Sequence, residues 1–310
     1  MAVRILADPT PPITTLDQAD RQAGLALGRK ARELSRLLHA GYPVPPGFVA
    51  TPAAFLVFAA ANDVTGDSPS QVTAIGAGQM PPSLMTAFAT AYAQLGAGSP
   101  PVAVRSSCAL EDLADSSFAG QYDTVLGVVG VDGVAAAIKT CWASAVAPHV
   151  QSYAEHHGFA ATVDQMSVLV QRLVVAEAAG VAFGVDPVTG DASRLVINAS
   201  WGLGESVVAG TVIPDTHTVD WRTRQVATDL GDKHEKLVFD GDTVVARPTT
   251  PHERAVPALS APAVQQVADL VARLQADYGH PLDVEFAWAD DHLYLLQVRP
   301  ITALAASVGP

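Results

Sequence analysis

Cysteine is nearly absent from this chain of 310 residues. Its two cysteines, Cys108 and Cys141, are too few for a disulfide framework and lack the clustered spacing of a zinc site. Basic residues are also scarce, with 18 Lys and Arg against 31 Asp and Glu and a formal net charge of -13. That balance excludes a nonspecific binder of nucleic acid or anionic membrane, and any anionic ligand must find local positive charge. No apolar run reaches the ~18 residues of a membrane span, and the start MAVRILADPT lacks the apolar core of a secretion signal. A soluble protein of the reducing cytoplasm is expected. No internal repeat or low-complexity tail stands out. His156 and His157 are adjacent rather than four apart, so on a helix they point about 100° apart and do not share a metal.

What the chain has is a hydrophobic fraction of 49%, enough to build one large domain or two medium ones. The most informative stretch is DVEFAWADDHLYLLQVRPIT, residues 283–302. Apolar and polar residues alternate with period two on both sides of a polar turn, Ala289 to His292, which predicts a β-hairpin. A register that joins Val284, Phe286 and Trp288 to Val298, Leu296 and Tyr294 makes one apolar face. The other face then sets Glu285 opposite Gln297 and Asp283 opposite Arg299, with Cβ atoms ~5 Å apart. A carboxylate, an amide oxygen and a guanidinium gathered in this way suit a magnesium-bound polyphosphate. On residue types alone, the solvent face of a hairpin is the competing reading. Asp283 is better placed to orient Arg299 than to bind metal.

Earlier segments supply further candidates. Residues 1–23 read as an irregular lead-in, and Leu34, Leu37 and Leu38 mark a helix over 31–40 with Gly41 as its stop. Before it, Gly28-Arg29-Lys30 forms a turn whose free N–H groups and lysine suit a phosphate, although first-turn lysines also occur on plain surfaces. YPVPPGFVAT is extended, Thr51 is a candidate cap for a helix starting at Pro52, and a loop follows to about residue 80. A third helix covers 82–95. A short strand, Val102 to Val104, leads into a loop of Arg105, Ser106 and Ser107. Ser116, Ser117, Gly120, Gln121 and Thr124 can fold over phosphates or form an ordinary polar loop. A helix runs from Val134 to about His157, with Trp142 and Tyr153 packing.

Within the apolar strand of residues 166–174, Gln171 fits either an adenine edge or a sheet edge. Strand patterns recur at 179–190 and 194–206, the latter ending in Gly202, Gly204 and Glu205. Residues 217–248 read as an antiparallel meander with an Asp-Gly turn, and a proline-bearing linker follows to about residue 262. An amphipathic helix then aligns Val264, Val267, Leu270, Val271 and Leu274 on one face.

In order, GRKARELSRLLHAGYPVPPGFVAT, VAVRSSCALEDLADSSFAGQYDT, VLVQRLV, VAFGVDPVTG, INASWGLGE and DVEFAWADDHLYLLQVRPIT resemble the nucleotide-binding region of the phosphoenolpyruvate synthase and pyruvate phosphate dikinase family, which includes rifampicin phosphotransferases. The resemblance spans residues 24–302. It implies an α+β ATP-grasp fold of two lobes, residues 1–175 and 176–310, with MgATP bound between them. It implies that Lys30 and Arg105 contact ATP phosphates, Gly120 and Thr124 belong to a covering loop, and Gln171 lies near adenine. Glu285 and Gln297 would hold magnesium while Arg299 faces the phosphates.

The chain departs from the family pattern at Arg29, where a second glycine is usual, and at Cys108, where a small residue follows the two serines. None of its nine histidines lies in the family's phosphohistidine motif. The expected activity is therefore phosphoryl transfer from ATP to a histidine on a separate domain or partner protein, for delivery to a small-molecule acceptor. Lys30, Arg105 and Arg299 would offset the charge of the transferred group. The alternatives are a self-sufficient ATP-grasp kinase or ligase and a noncatalytic ATP-binding subunit.

Overall fold

A computed structural model of the protein describes residues 11–21, 27–65, 68–107, 112–113, 116–117, 124–148, 150 and 166–301. By their internal contacts the residues group into two compact units. One comprises Met1–His39 and Pro46–Leu173, the other Ala40–Pro45 and Val174–Pro310.

The first unit contains β1 (Ile13–Thr15), α1 (Arg29–His39), β2 (Gly47–Ala50), α2 (Pro52–Ala61), α3 (Ser68–Ala77), α4 (Pro82–Ala93), β3 (Val102–Ser107), β4 (Asp112–Leu113), β5 (Ser116–Ser117), β6 (Thr124–Val128), α5 (Gly130–Ala145) and β7 (Ser167–Arg172). Five strands form an antiparallel sheet in the order β1-β2-β7-β3-β6. Val102 and Val104 of β3 and Val168 and Val170 of β7 point into one core with Phe58, Ile75, Phe88, Ile138 and Trp142. The Trp142 ring lies 5.4 Å from Phe55 and 5.2 Å from Phe58. Each such side chain, once buried, contributes roughly 1.5–3 kcal/mol. Because strand side chains alternate, Ala103, Arg105, Leu169 and Gln171 fall on the face opposite that core.

Two expectations change here. The predicted loop before residue 80 contains α3, a helix of weak sequence signal held by Ile75, which is fully buried. Thr51 makes no side-chain cap, and its hydroxyl instead donates to the Pro11 carbonyl at 2.8 Å. Tyr153, His156 and His157 lie outside the described residues.

The second unit contains β8 (Ala178–Phe183), β9 (Arg194–Trp201), α6 (Glu205–Val208), β10 (Asp215–Asp220), β11 (Val226–Asp229), β12 (Glu235–Phe239), β13 (Val244–Pro248), α7 (Pro251–Ala255), α8 (Ala261–Tyr278), β14 (Leu282–Ala289) and β15 (His292–Pro300). Its antiparallel sheet has the order β11-β10-β9-β8-β14-β15, while β12 and β13 pair as a separate hairpin. The five predicted apolar residues of α8 are all buried. The predicted linker contains α7, opened by a capping box in which Thr250 and Glu253 satisfy each other's backbone N–H groups.

Residues 40–45 form a strap that stays with the second unit although both flanks belong to the first. Tyr42 donates its hydroxyl to Asp277 at 2.5 Å, and the Arg273 guanidinium lies 4.1 Å from the Tyr42 ring centroid. Arg273 also donates to the Ala40 carbonyl at 2.6 Å, and the Pro43 carbonyl accepts from Leu295 N on the edge strand β15 at 3.0 Å.

A buried ion pair anchors the other side of this sheet. Asp215 and Lys233 are both fully buried and in direct contact. Asp215 also accepts from Gly231 N at 3.0 Å and Ala258 N at 2.7 Å, so both carboxylate oxygens are satisfied.

Candidate functional site

In the first unit the candidates gather around β3. This strand runs on through Arg105, Ser106 and Ser107, which were expected in a loop, because all three continue the ladder to β7. Arg105 stands opposite Leu169 of β7 on one side and Thr124 of β6 on the other. Gln171 is 3% exposed and stands opposite Ala103, so it shares the Arg105 face of the sheet. Thr124 is exposed at the start of β6. Lys30, in the first turn of α1, donates from Nζ to the Ser106 carbonyl at 3.1 Å. Thus Lys30, Arg105, Thr124 and Gln171 all attach to one strand and its two neighbours. Gly120 lies outside the described residues.

The first turn of α1 carries Arg29 and Lys30 and no acidic residue. Cations at a helix N-terminus oppose its dipole and cost about 0.3–1 kcal/mol each unless an anion is bound there. Within a chain of net charge -13, this is the local positive charge that an anionic ligand needs.

In the second unit the candidates lie on the closing hairpin. β14 and β15 pair Asp283 with Arg299, Val284 with Val298 and Glu285 with Gln297, as the alternation predicts. The register then shifts between Glu285 and Phe286, so Phe286 pairs with Leu295 and Trp288 with Leu293, not with Leu296 and Tyr294 as expected. Leu296 is the residue left over, and the apolar side chain that is fully buried is Leu295. A bulge of this kind restarts the alternation half a period out of step. The turn is tighter than expected: Asp290 and Asp291 alone form it, with φ of 52° and 58°. Two left-handed central residues are what a two-residue hairpin requires, and Asp tolerates that region better than most residues.

The polar face of the hairpin is half-buried and tightly coupled. Arg299 Nη2 lies 3.9 Å from Glu285 Oε1, with the two side chains 31% and 12% exposed. Gln297 is 4% exposed, and in the amide orientation that satisfies both groups its oxygen accepts from Arg299 Nε and Nη2. Asp283 Oδ1 is buried without a hydrogen-bond partner. Burial first, and the neighbouring Glu285 carboxylate second, push the Asp283 carboxyl up to about 6, while Arg299 pulls it down.

These residues suit a hard divalent cation. Glu285 offers carboxylate oxygens, Gln297 on the adjacent strand could add its amide oxygen by releasing Arg299, and the Asp283 oxygen beside them has no hydrogen-bond partner. Among the described residues no group of three or more His, Cys, Asp or Glu has metal-holding geometry, so a cation here would take part of its shell from its ligand or from water. Among the described residues no helix is long and apolar enough to cross a membrane.

The sequence reading named Gly28 and Ser107 but missed the contact between them. Ser107 is fully buried, and its hydroxyl accepts from Ala31 N at 3.1 Å. Its partner across the contact is Gly28, where an added Cβ would fall 2.0 Å from the Ser107 carbonyl. The signal was the Ser-Ser pair after Arg105, but no spacing rule links it to a helix 76 residues earlier.

The family model for pyruvate phosphate dikinase, AMP/ATP-binding domain, matches residues 25–309. The chain is 35% identical to the uncharacterized phosphotransferase YvkC of Bacillus subtilis, over 93% of this chain and 34% of that one. It is 39% identical to the prodigiosin synthesizing transferase PigC of Serratia marcescens, over 91% of this chain and 32% of that one. The probable phosphoenolpyruvate synthase of Methanocaldococcus jannaschii is 36% identical over 94% of this chain and 27% of that one. The chain therefore spans about a third of the length of the curated relatives it matches. The two antiparallel sheets and their helices are the α+β architecture expected from the sequence, and a match of this extent shows that the chain belongs to the pyruvate phosphate dikinase AMP/ATP-binding family.

Proposed function

We propose that the chain binds MgATP and passes a phosphoryl group from it to a histidine on a separate domain or partner protein, which delivers it to a small-molecule acceptor. The observation that carries this reading is the attachment of two cations to one strand: Arg105 on β3, and Lys30 held at the Ser106 carbonyl. Both are donors without acceptor capacity, which suits oxygen-rich phosphates. Gln171 on the same face is assigned to the adenine, and Gly120 and Thr124 to the covering loop. Residues 1–175 and 176–310 are assigned as the two ATP-grasp lobes, acting in the cytoplasm.

On the closing hairpin, Glu285 and Gln297 would hold magnesium, and Arg299 would meet the phosphates. The metal, when bound, supplies neutralising charge for the polyphosphate. The protein's own part is electrostatic and positional. Lys30, Arg105 and Arg299 balance charge on the transferred group, Glu285 stays beside the Arg299 guanidinium, and the Gln297 oxygen that Arg299 engages here would leave it to hold magnesium. In the dikinase-like route one ATP and one water yield AMP, inorganic phosphate from the γ position and the β-phosphoryl group on the histidine.

Incubating the pure chain with γ- or β-labelled ATP, with and without a phosphohistidine-domain protein, tests the proposal. Label from the β position on the partner's histidine, with the γ label released as phosphate, is the expected result. Product formed without any partner would identify a self-sufficient kinase or ligase instead, and binding without turnover under both conditions would identify a noncatalytic ATP-binding subunit.

A further inference from the structure

An α-helix leaves its first N–H groups without intrahelical acceptors, and the usual remedy is a Ser, Thr, Asp or Asn side chain at the residue before the helix. α1 has Gly28 in that place, with no side chain to offer. Nor is there room for one, because a Cβ on Gly28 would lie 2.0 Å from the Ser107 carbonyl carbon and oxygen. The acceptor comes instead from the strand that excludes it. Ser107 Oγ accepts from Ala31 N, the third N–H of the helix, at 3.1 Å, and Ser107 is fully buried.

Three consecutive residues of β3 thus act on one small region. Arg105 presents its guanidinium from the sheet, the Ser106 carbonyl receives Lys30 Nζ at 3.1 Å, and Ser107 caps the helix on which Lys30 rides. A side-chain cap at Gly28 would hold the helix start to its own loop; a cap from β3 holds it to the strand carrying Arg105.

We propose that Ser107 is a positioning residue for phosphoryl transfer: its hydroxyl caps α1 from β3 and thereby sets Lys30 relative to Arg105. This rests on the reading in which Lys30 and Arg105 take the ATP phosphates. Without the hydroxyl, a buried N–H loses its acceptor, and the first turn of α1 loosens from the strand.

A double-mutant cycle on the full chain tests this through MgATP affinity, with Lys30→Ala, Ser107→Ala and the pair compared under one set of conditions. Ser107→Ala is expected to weaken MgATP binding about fivefold to tenfold in the native background and to have no further effect once Lys30 is alanine. An equal loss in both backgrounds would mark Ser107 as merely structural and overturn the proposal, as would normal affinity in Ser107→Ala. If Lys30→Ala alone binds MgATP normally, the phosphate reading of Lys30 fails first, and that outcome is visible without Ser107. Amide exchange in the unmodified chain gives a second reading that needs no variant to fold. Ala31 N–H is expected to be protected, and free exchange there overturns the cap.

Discussion

Asp283 stands directly opposite Arg299 on neighbouring strands, yet Arg299 forms an ion pair with Glu285, and Asp283 Oδ1 has no hydrogen bond. An Asp held in this way favours its protonated form, with a carboxyl pushed up to about 6 from an ordinary 3.8. The folded state therefore binds the proton more tightly than the unfolded chain does. Its stabilising contribution is fully present below about pH 3.8 and is lost as the pH rises through about 6. The difference amounts to about 2–3 kcal/mol at most. Asp283→Asn, in the absence of nucleotide and metal, should raise stability at pH 7.5 and leave it unchanged near pH 4. Denaturant unfolding at the two pH values measures the gain, and equal effects at both would remove the ionised carboxylate as the cause.

Glu285→Ala should weaken nucleotide binding in the presence of magnesium by about tenfold or more, because it removes the one carboxylate assigned to the metal. Binding measured without magnesium should change far less. Titration of a fluorescent ATP analogue under both conditions separates the two, and an unchanged magnesium-dependent affinity takes Glu285 out of the metal shell.

Arg105→Ala should cost about tenfold to a hundredfold in ATP affinity, the scale of a lost charge-assisted hydrogen bond. Its side chain lies on the face opposite the core cluster, so the fold should tolerate the change. Isothermal titration with ATP is the check, and normal affinity together with normal transfer would end the phosphate assignment.

Asp215→Ala should destabilise the protein by about 3–5 kcal/mol, because it leaves the buried Lys233 ammonium uncompensated and strips acceptors from Gly231 and Ala258. Replacing both members, Asp215→Leu with Lys233→Met, should recover part of that loss. A double variant no more stable than the single one would show that the backbone bonds, not the charge, dominate.

Much of this site could be read from local pattern. The alternation in DVEFA and QVR paired Glu285 with Gln297 because a period-two rule needs only neighbouring residues. The same rule failed past Phe286, where the two adjacent leucines, Leu295 and Leu296, were the available sign of a bulge. α7 was read as a linker although its sign, the capping box of Thr250, Pro251 and Glu253, lay within the sequence. Ser107 was not legible, since its role depends on a contact with Gly28 that only the folded chain makes. α3 was illegible for a related reason: its helix rests on burial of Ile75 rather than on periodicity.

The strap of residues 40–45 has a consequence for how this protein can be divided. Because Pro43 covers the Leu295 N–H on the edge of β15, and Tyr42 and Ala40 hold α8 through Asp277 and Arg273, the second unit is not a contiguous length of chain. A fragment starting at residue 174 would present that strand edge bare, the kind of edge that recruits another chain. Any scheme that exchanges or grafts the second unit of this protein must carry six residues from far upstream, or it will transplant a sticky sheet edge with it.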